Sequence, residues 1–442
     1  CGIAGSINFS LDIPKLTKDL WHRGPDDQAT FTEANLQLHH HRLSILDIAS
    51  GHQPMHLEHL TIIFNGEIYN HQEVRKKYNL SCKTNSDTET ILHAYAKLGA
   101  DCLQDFDGMF AMAIFDRSKN EIFIARDRAG KKPLYYYTKG GTFVFASELN
   151  ALRNQLDVAV NETHIQQYMR MGYFYKSSTP YRDVNELPAG SYATVSLHHP
   201  VVRLVKWWNI HSFYQRKSTD DIDTALSKTD AFLHTAVKNR LESSDLEVGS
   251  FLSGGIDSGL VTAIASQYNN KLKTFTVSFD GEYDEAPLAK LVAERYHTDH
   301  YEIKIFFDNL TGDIEKILSN YGEPFFDSSA IPSYYVSAAA KKKLTVILNG
   351  DGGDEIFGGY RRYVPFAKYD FFKSGTATKN IAGLLHALMP VTNNKRSKYN
   401  YIYRLTDLAR KNNLPVYLSS TIDSFEGLEK FLVNDNRYLD LV

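Results

Sequence analysis

The stretch Cys1-Gly2-Ile3-Ala4-Gly5 opens the sequence and is the strongest indication of the kind of domain that follows. A cysteine at this position carries its thiol and a free α-amino group on one residue. The unperturbed pKa values of these two groups are about 8.5 and about 8, so one residue can supply a nucleophile and a nearby base at neutral pH. This is the chemistry of an N-terminal nucleophile, in which the chain terminus replaces the histidine of a triad. The alternative is an ordinary start site from which the initiator methionine has been removed.

Length and composition indicate a globular protein of two domains. The chain has 442 residues, of which 43% are hydrophobic and 23% charged, and its net charge is −3. This charge argues against a nucleic-acid partner, and no apolar run reaches the ~18 residues that span a membrane. The first segment is too short and polar for a signal peptide. Three cysteines, Cys1, Cys82 and Cys102, are too few for a disulfide framework and lack metal-ligand spacing. We expect a soluble, cytoplasmic protein without a nucleic-acid or membrane partner.

The hydrophobic pattern changes near the middle of the chain. Up to about residue 200, short strands at 61–64, 109–115, 121–125, 134–137 and 142–146 surround a helix at 88–98, which is an α+β pattern. After the polar stretch 215–223, helices at 224–241, 259–268, 286–296 and 333–343 alternate with strands at 247–252, 274–279 and 344–348. This alternation predicts a parallel sheet that binds ligands at the carboxyl ends of its strands. We therefore place two domains at residues 1–200 and 222–442.

Two local features of the first domain allow simple predictions. The dipeptide Asn65-Gly66 follows a strand and favours a tight turn. The run His39-His40-His41 lies on a probable strand, where alternate side chains face opposite sides. Three adjacent histidines on a strand are poorly placed to share one metal ion.

Four polar clusters lie between the strands of the first domain. They are Arg-Gly-Pro-Asp-Asp at 23–27, Arg-Leu-Ser-Ile-Leu-Asp at 42–47, Asn-Gly-Glu-Ile-Tyr-Asn at 65–70 and Ser-Asp-Thr-Glu at 86–89. Together with Cys1 they resemble the glutaminase domain of class II, N-terminal-nucleophile glutamine amidotransferases, and the segments 125–128, 132–136 and 145–148 extend the match. The resemblance implies an α-β-β-α sandwich of the N-terminal-nucleophile hydrolase type, which releases ammonia from the side-chain amide of glutamine.

The same resemblance assigns roles to single residues. Cys1 would be the nucleophile, and the Asn65 side chain with the Gly66 backbone N–H would bind the oxyanion. Arg42 suits the α-carboxylate of glutamine, while Glu67 and Asp87 suit its α-ammonium group. The complete glutamine-binding set is Arg42, Leu43, Ser44, Ile45, Leu46, Asn65, Gly66, Glu67 and Asp87. A purely structural salt bridge between Arg42 and Asp87 is the alternative.

Two glycine-rich segments follow strands in the second domain. Ser-Gly-Gly-Ile-Asp-Ser at 253–258 opens a helix, so glycine and helix N–H groups can approach an anion. It resembles the pyrophosphate-binding loop of ATP pyrophosphatases. The acidic segment 348–360 lacks the EF-hand spacing of a calcium loop. With 275–277 and 323–325 it resembles the synthetase domain of glutamine-hydrolysing asparagine synthetases, and the order of the two domains points to that family.

This second resemblance implies an α/β domain of the ATP pyrophosphatase type that uses ATP and Mg²⁺. Asp257 and Asp354 would hold the metal ion, and Asp351 would act in forming or aminating the acyl-adenylate. The ATP-binding residues would be Leu252, Ser253, Gly254, Gly255, Ile256, Asp257, Ser258, Val277, Asn349 and Gly350. In the family, ATP activates aspartate as β-aspartyl-AMP, and ammonia from the first site travels through an internal tunnel to displace AMP. The substrates are the small molecules glutamine, aspartate and ATP, and a homodimer is possible.

The chain departs from the family in two places. Asn349 stands where family members often carry serine. The family's Lys-x-Asp-x-x-Ser-Met and Arg-x-Pro-Phe-Leu-Asp segments are not found after Tyr360, so we expect a C-terminally truncated synthetase half. Two other functions therefore stay open. One is a related amidotransferase that acts on another carboxylate. The other is a glutaminase or regulatory form with an incomplete synthetase site.

Overall fold

The computed structural model of the chain describes residues 1–279, 284–305, 309–360, 363, 376–390 and 397–411. Two compact units are distinguished: Cys1–Asn161 with Lys176–Gly350, and Glu162–Tyr175 with Asp351 onwards. The first unit contains every strand given below. The end of the predicted 222–442 domain lies outside the described residues.

Within the described residues, the strands are β1 (Gly2–Ile7), β2 (Asp27–Glu33), β3 (Leu36–Arg42), β4 (Met55–Leu57), β5 (Leu60–Ile68), β6 (Gly108–Asp116), β7 (Glu121–Arg126), β8 (Tyr135–Lys139), β9 (Thr142–Ala146), β10 (Val184–Glu186), β11 (Ser191–Ser196), β12 (Arg203–Lys206), β13 (Val248–Phe251), β14 (Lys273–Ser278), β15 (Asp299–Lys304) and β16 (Val346–Leu348). The α-helices are α1 (Ile13–Leu20), α2 (His71–Tyr78), α3 (Asp87–Leu98), α4 (Leu149–Gln155), α5 (Glu162–Met171), α6 (His211–Gln215), α7 (Ile222–Glu242), α8 (Ile256–Tyr268), α9 (Ala286–Tyr296), α10 (Leu310–Tyr321), α11 (Ala330–Ala340), α12 (Gly353–Phe357), α13 (Thr376–Leu388) and α14 (Lys398–Lys411).

Two antiparallel sheets lie face to face in the N-terminal half of the first unit. Their strand orders are β10-β8-β9-β1-β3-β2 and β12-β11-β7-β6-β5-β4. Buried side chains such as Ile3, Phe115 and Phe145 fill the space between them. Helices α1 and α4 cover the outer face of the first sheet, and α2 and α3 cover that of the second. The predicted α-β-β-α sandwich is confirmed.

The opening stretch forms the central strand of the first sheet. Strand β1 pairs with β9 on one side and β3 on the other. Its side chains alternate, so Ile3 enters the core between the sheets and Ala4 faces the outer helices. A Cβ atom on Gly5 would lie 2.5 Å from the ring of Phe145, which explains the glycine. The position of Cys1 is therefore determined by a strand that is anchored on both edges.

The predicted turn at Asn65-Gly66 is wrong. Both residues lie inside β5, which pairs with β6 along its whole length. A Cβ atom on Gly66 would lie 2.1 Å from the carbonyl oxygen of Met109. The glycine therefore permits close approach of two strands and does not reverse the chain.

A parallel sheet forms the other part of the first unit. Its strand order is β15-β14-β13-β16, and every adjacent pair runs in the same direction. Side chains of α7 and α8, including Val237 and Ile264, pack on one face with Val248. On the other face, Ala340 of α11 packs with Phe275. The predicted α/β architecture is confirmed, and β13 leads directly into the segment 252–255 before α8.

The second unit is helical in its described part. Helix α13 packs against α14, where the rings of His386 and Tyr403 lie 4.3 Å apart. None of the described helices of the chain combines the length and the apolar character needed to cross a bilayer.

The buried histidines of β3 predict acid sensitivity of the fold. His40 is fully buried, its Nε2 atom lies 3.1 Å from the carbonyl oxygen of Phe64, and burial lowers its pKa to about 3. The unfolded chain would therefore take up this proton near pH 6.5, and the folded chain only far below it. Stability is fully present above about pH 6.5 and decreases as the pH falls from there towards 3. His40→Gln should reduce the change in Tm between pH 7.5 and 5.

Calorimetry or circular dichroism at the two pH values measures this slope. The exposed His199 offers a matched control, and His199→Gln should leave the slope unchanged. An unaltered slope in His40→Gln would show that this histidine does not carry the acid sensitivity.

Candidate active site

Cys1 is held at the start of β1 by two contacts with Arg23. Its α-amino group donates to the Arg23 carbonyl oxygen at 2.8 Å, and Arg23 Nε donates to the Cys1 carbonyl oxygen at 2.9 Å. Arg23 is itself fixed by Glu148, which accepts from its guanidinium at 2.8 Å. The chain terminus is therefore pinned inside the fold.

The surroundings of Cys1 favour a neutral amine. Burial, followed by the positive charges of Arg23 and Lys132, lowers the pKa of the α-amino group to about 4. Leu43 lies beside the thiol, and its backbone N–H points to Cys1 Sγ at 3.4 Å. An unprotonated amine and a thiol on one residue can act as base and nucleophile.

The amide of Asn65 is available for a ligand. Asn65 is 1% exposed, and its Nδ2 atom has no hydrogen-bond partner among the described residues. A buried donor without a partner is costly, so such groups in native proteins call for an explanation. The adjacent Gly66 lies on the same strand, and its backbone N–H as a second oxyanion donor stays a prediction.

Glu67 and Asp87 form a pair of buried carboxyl groups. Burial, followed by the charge of Asp87, raises the pKa of Glu67 well above its usual value. Burial also raises the pKa of Asp87, although its Oδ2 atom accepts from the Ile68 backbone N–H at 2.9 Å. A cation placed between the two groups would restore their ionised forms. The pair therefore suits an ammonium group.

Arg42 makes contacts that the sequence did not reveal. Its guanidinium donates to the carbonyl oxygens of Leu46, Asp47 and Ile48 at 3.2, 2.7 and 3.0 Å. The alternative salt bridge with Asp87 is not formed. These hydrogen bonds hold the backbone of the loop 43–48 in place. Binding of a substrate carboxylate by Arg42 stays a prediction.

A cavity of about 500 Å³ adjoins this loop. It is lined by Arg42, Leu43 and Ser44 and also by Leu246 and Lys341, which come from the part of the chain that carries the parallel sheet. The backbone N–H of Ser44 donates to Asp26 Oδ2 at 2.8 Å. The remaining predicted members of the glutamine set, Ile45 and Leu46, lie on the same loop. The structure thus brings the clusters 23–27 and 42–47 together at Cys1 and along this cavity. The clusters 65–70 and 86–89 meet at the hydrogen bond from the Ile68 N–H to Asp87.

The second predicted site begins where β13 ends. A hydrogen bond joins Ser253 Oγ and Ser258 Oγ at 2.8 Å, and Ser253 Oγ also accepts from the Gly255 N–H at 3.2 Å. Helix α8 starts at Ile256 without a side-chain cap. A Cβ atom on Gly254 would lie 2.7 Å from Leu288 Cβ, so only glycine fits there. This compact turn opens a helix whose N-terminus can receive a phosphate.

Further predicted ATP-binding residues lie at the carboxyl ends of the neighbouring strands. Leu252 follows β13 and is buried, and its backbone N–H donates to the Phe275 carbonyl oxygen at 2.8 Å. Val277 is half-buried in β14. Gly350 follows β16, where a Cβ atom would lie 2.7 Å from the Ser258 backbone nitrogen. Asn349 precedes it and is exposed. The three strand ends therefore meet at one edge of the sheet, as parallel topology requires.

The predicted acidic residues are divided between the two units. Asp257 lies half-buried in the first turn of α8, in the first unit, next to Gly350. Asp351 and Asp354 belong to the second unit, with Asp354 in α12. Among the described residues, no group of three or more His, Cys, Asp or Glu side chains could hold a metal ion. Carboxylate and phosphate oxygens are ligands that Mg²⁺ prefers, and the assignment of Asp257 and Asp354 to a metal ion stays a prediction.

Sequence reasoning missed several residues that shape these sites. Arg23 and Lys132 belong to quoted motifs, yet their influence on the Cys1 amine requires the folded geometry. Asp47 closes the loop motif, and its left-handed φ of 48° was not expected. Asp245 lies outside every motif, although it contacts the loop 43–48.

Known protein families match both the N-terminal and the C-terminal part of the chain. The family described as "Glutamine amidotransferase domain" matches residues 1–208, and the family described as "Asparagine synthase" matches residues 228–426. A putative asparagine synthetase [glutamine-hydrolyzing] 2 of Methanocaldococcus jannaschii is 36% identical over 84% of this chain and 78% of its own length.

Two bacterial relatives match this chain over a smaller share of their own length. Asparagine synthetase [glutamine-hydrolyzing] 1 of Bacillus subtilis is 33% identical over 88% of this chain, and asparagine synthetase B [glutamine-hydrolyzing] of Escherichia coli is 32% identical over 81%. In each case the match spans 64% of the relative's length. These likenesses show that the chain, with its two-sheet sandwich and its parallel sheet, belongs to the family of glutamine-hydrolysing asparagine synthetases.

Proposed function

We propose that the chain makes asparagine from aspartate and ATP, with ammonia released from glutamine at Cys1, and yields AMP, pyrophosphate and glutamate. The position of Cys1 carries the proposal: its α-amino group, which lies beside its own thiol, is held by the Arg23 carbonyl oxygen at 2.8 Å, and burial lowers the pKa of this amine to about 4. The unpartnered amide of Asn65 supports it, because the oxyanion of amide hydrolysis needs such a donor.

Glutamine hydrolysis would proceed through a thioester on Cys1. The thiol proton passes to the α-amino group while Sγ attacks the side-chain carbonyl carbon. Asn65 Nδ2 and the Gly66 N–H stabilise the negative oxygen of the tetrahedral intermediate. The protonated amine then returns its proton to the leaving nitrogen, and ammonia departs. Water, activated by the same amine, hydrolyses the thioester to glutamate.

Recognition of glutamine would use the polar groups around this centre. The paired carboxyl groups of Glu67 and Asp87 bind the α-ammonium group, whose charge favours their ionised forms. Arg42 fixes the loop 43–48 and supplies positive charge near the α-carboxylate. Leu43, Ser44, Ile45 and Leu46 form the wall of the pocket.

ATP would bind at the carboxyl edge of the parallel sheet. The turn 253–258 and the first turn of α8 receive the pyrophosphate part, and Leu252, Val277, Asn349 and Gly350 line the adenylate pocket. Asp257 and Asp354 would hold Mg²⁺, which neutralises charge on the phosphate oxygens. The aspartate side-chain carboxylate attacks the α-phosphorus and displaces pyrophosphate. Ammonia then displaces AMP from β-aspartyl-AMP, a step in which we place Asp351.

The three cysteines of the structure are free thiols, in keeping with a proposed cytoplasmic location.

Homodimer formation is part of the same proposal and would be measured by sedimentation velocity.

The decisive test of the proposal follows both products in one reaction. With ATP, aspartate and glutamine, the chain should release pyrophosphate and glutamate and form asparagine. Cys1→Ala should lower glutamate release by at least about 1,000-fold, because the nucleophile is lost. Ammonium chloride should restore pyrophosphate release in this variant, and Cys82→Ala should behave as the wild type. Glutamate release without aspartate-dependent pyrophosphate would refute the synthetase function and leave a glutaminase, or a ligase for another carboxylate.

Asn65→Ala tests the oxyanion site. Loss of one such donor costs about 100- to 1,000-fold in kcat. The KM for glutamine should change much less, because the oxyanion exists only in the transition state. The ammonia-dependent reaction serves as the internal control and should be unaffected. A variant with an unchanged kcat for glutamate release would exclude Asn65 from this role.

The pH dependence of glutamate release tests the role of the amine. Because the pKa of the Cys1 amine is lowered to about 4, the amine is unprotonated at pH 6 and pH 8 alike. The rate at saturating glutamine should therefore stay within about threefold between these values. An amine with the ordinary pKa of about 8 would lower the rate by about 50-fold at pH 6 relative to pH 8, and that result would contradict the assignment.

A further inference from the structure

We propose that Asp245 is a positioning residue for glutamine hydrolysis, supplied by the ATP-binding half of the chain. It lies between α7 and β13, the strand that ends in the phosphate loop. From there it holds the loop 43–48 in its binding shape. The inference rests on the proposed glutaminase function of that loop and adds a residue that lies outside all the motifs.

Two reciprocal hydrogen bonds join Asp245 to the loop. Its Oδ2 atom accepts from the Asp47 backbone N–H at 2.7 Å, and its own backbone N–H donates to the Ile45 carbonyl oxygen at 3.0 Å. The two contacts bracket Leu46 and fix both the distance and the orientation of the loop backbone. A single hydrogen bond would fix the distance of the loop backbone but not its orientation.

Asp47 passes this restraint on to the predicted substrate contacts. Its φ of 48° lies in the left-handed region, which non-glycine residues seldom adopt. Its carbonyl oxygen accepts from Arg42 at 2.7 Å, and its Oδ2 atom accepts from the Asn85 backbone N–H at 2.8 Å. Asn85 comes two residues before Asp87. The residues proposed for the two ends of glutamine are therefore tied to one backbone position, which Asp245 holds.

The segment 240–246, which connects α7 with β13, also contacts the residue that follows β5. The guanidinium of Arg240, in the last turn of α7, lies 4.2 Å from the ring centre of Tyr69. Tyr69 follows the strand that carries Asn65, Gly66 and Glu67. Leu246 lines the cavity beside Arg42. The segment 240–246 thus contacts both loops on the glutamine side and continues into β13 on the nucleotide side.

Two variants separate hydrogen bonding from charge. D245A removes the acceptor for the Asp47 N–H, whereas D245N keeps an oxygen acceptor and removes only the charge. We expect D245A to raise the KM for glutamine between about threefold and about tenfold, the usual effect of one lost hydrogen bond. D245N should stay within about twofold of the wild type. The exposed Asp230 on α7 provides the matched control, and D230A should not alter the KM.

Ammonia-dependent pyrophosphate release reports on the ATP-binding half alone. It should stay within about twofold of the wild type in D245A, since the restraint acts on glutamine and not on ATP. Amide hydrogen exchange of the full-length chain gives a readout that needs no activity. Exchange at Asp47 should be slow in the wild type and in D245N and faster in D245A.

The outcomes distinguish this inference from the function on which it rests. A wild-type chain that releases no glutamate refutes the proposed function itself. An active wild type together with a D245A variant of unchanged KM overturns the inference. So does a D245A variant that loses ammonia-dependent and glutamine-dependent activity equally, because Asp245 would then be a structural residue of the ATP-binding half.

Discussion

The glutaminase half depends on one contact, the burial of the Cys1 α-amino group against the Arg23 carbonyl oxygen. A chain terminus normally frays and keeps a charged amine in water. Here it begins a strand that is hydrogen-bonded on both edges, and the amine lies 2.8 Å from its acceptor. Burial removes the proton that water would leave on it. The packing of β1 thus favours an unprotonated amine next to the thiol, the two groups that we propose as base and nucleophile.

Both proposed sites contain a glycine at a place where two chain segments approach closely. Gly66 lets β5 and β6 pair without a Cβ atom in the way, and Gly254 lets the phosphate loop pack on Leu288. In each case an anion is the expected ligand, an oxyanion at the first site and a pyrophosphate at the second. The segment 240–246 links the two, because it contacts the glutamine loops and runs into β13.

Much of the architecture could be predicted from local pattern. The helix expected at 286–296 and the strand expected at 142–146 have the same bounds in the structure, because apolar periodicity and flanking turn residues agree there. The Asn65-Gly66 turn failed because its glycine serves a contact with Met109, which is distant in sequence. The hydrogen bonds of Arg42 to its own loop and the contact of Asp245 depend on tertiary geometry that no periodicity reports. The motifs predicted which residues belong to each site, and those assignments stay predictions, whereas the contacts that hold Arg42 and Cys1 are visible only in the fold.

We expect nitrogen freed at Cys1 to end on the side-chain carboxylate of aspartate within the same protein. Glutamine labelled with ¹⁵N in its amide group tests this directly, in the presence of aspartate, ATP and a large excess of unlabelled ammonium. Mass spectrometry of the asparagine formed gives the answer. Asparagine should carry the label at a higher fraction than the ammonium in the medium, because we expect the nitrogen to pass internally between the sites. Asparagine with the isotope content of the medium, or no asparagine with all label recovered as ammonium, would contradict it.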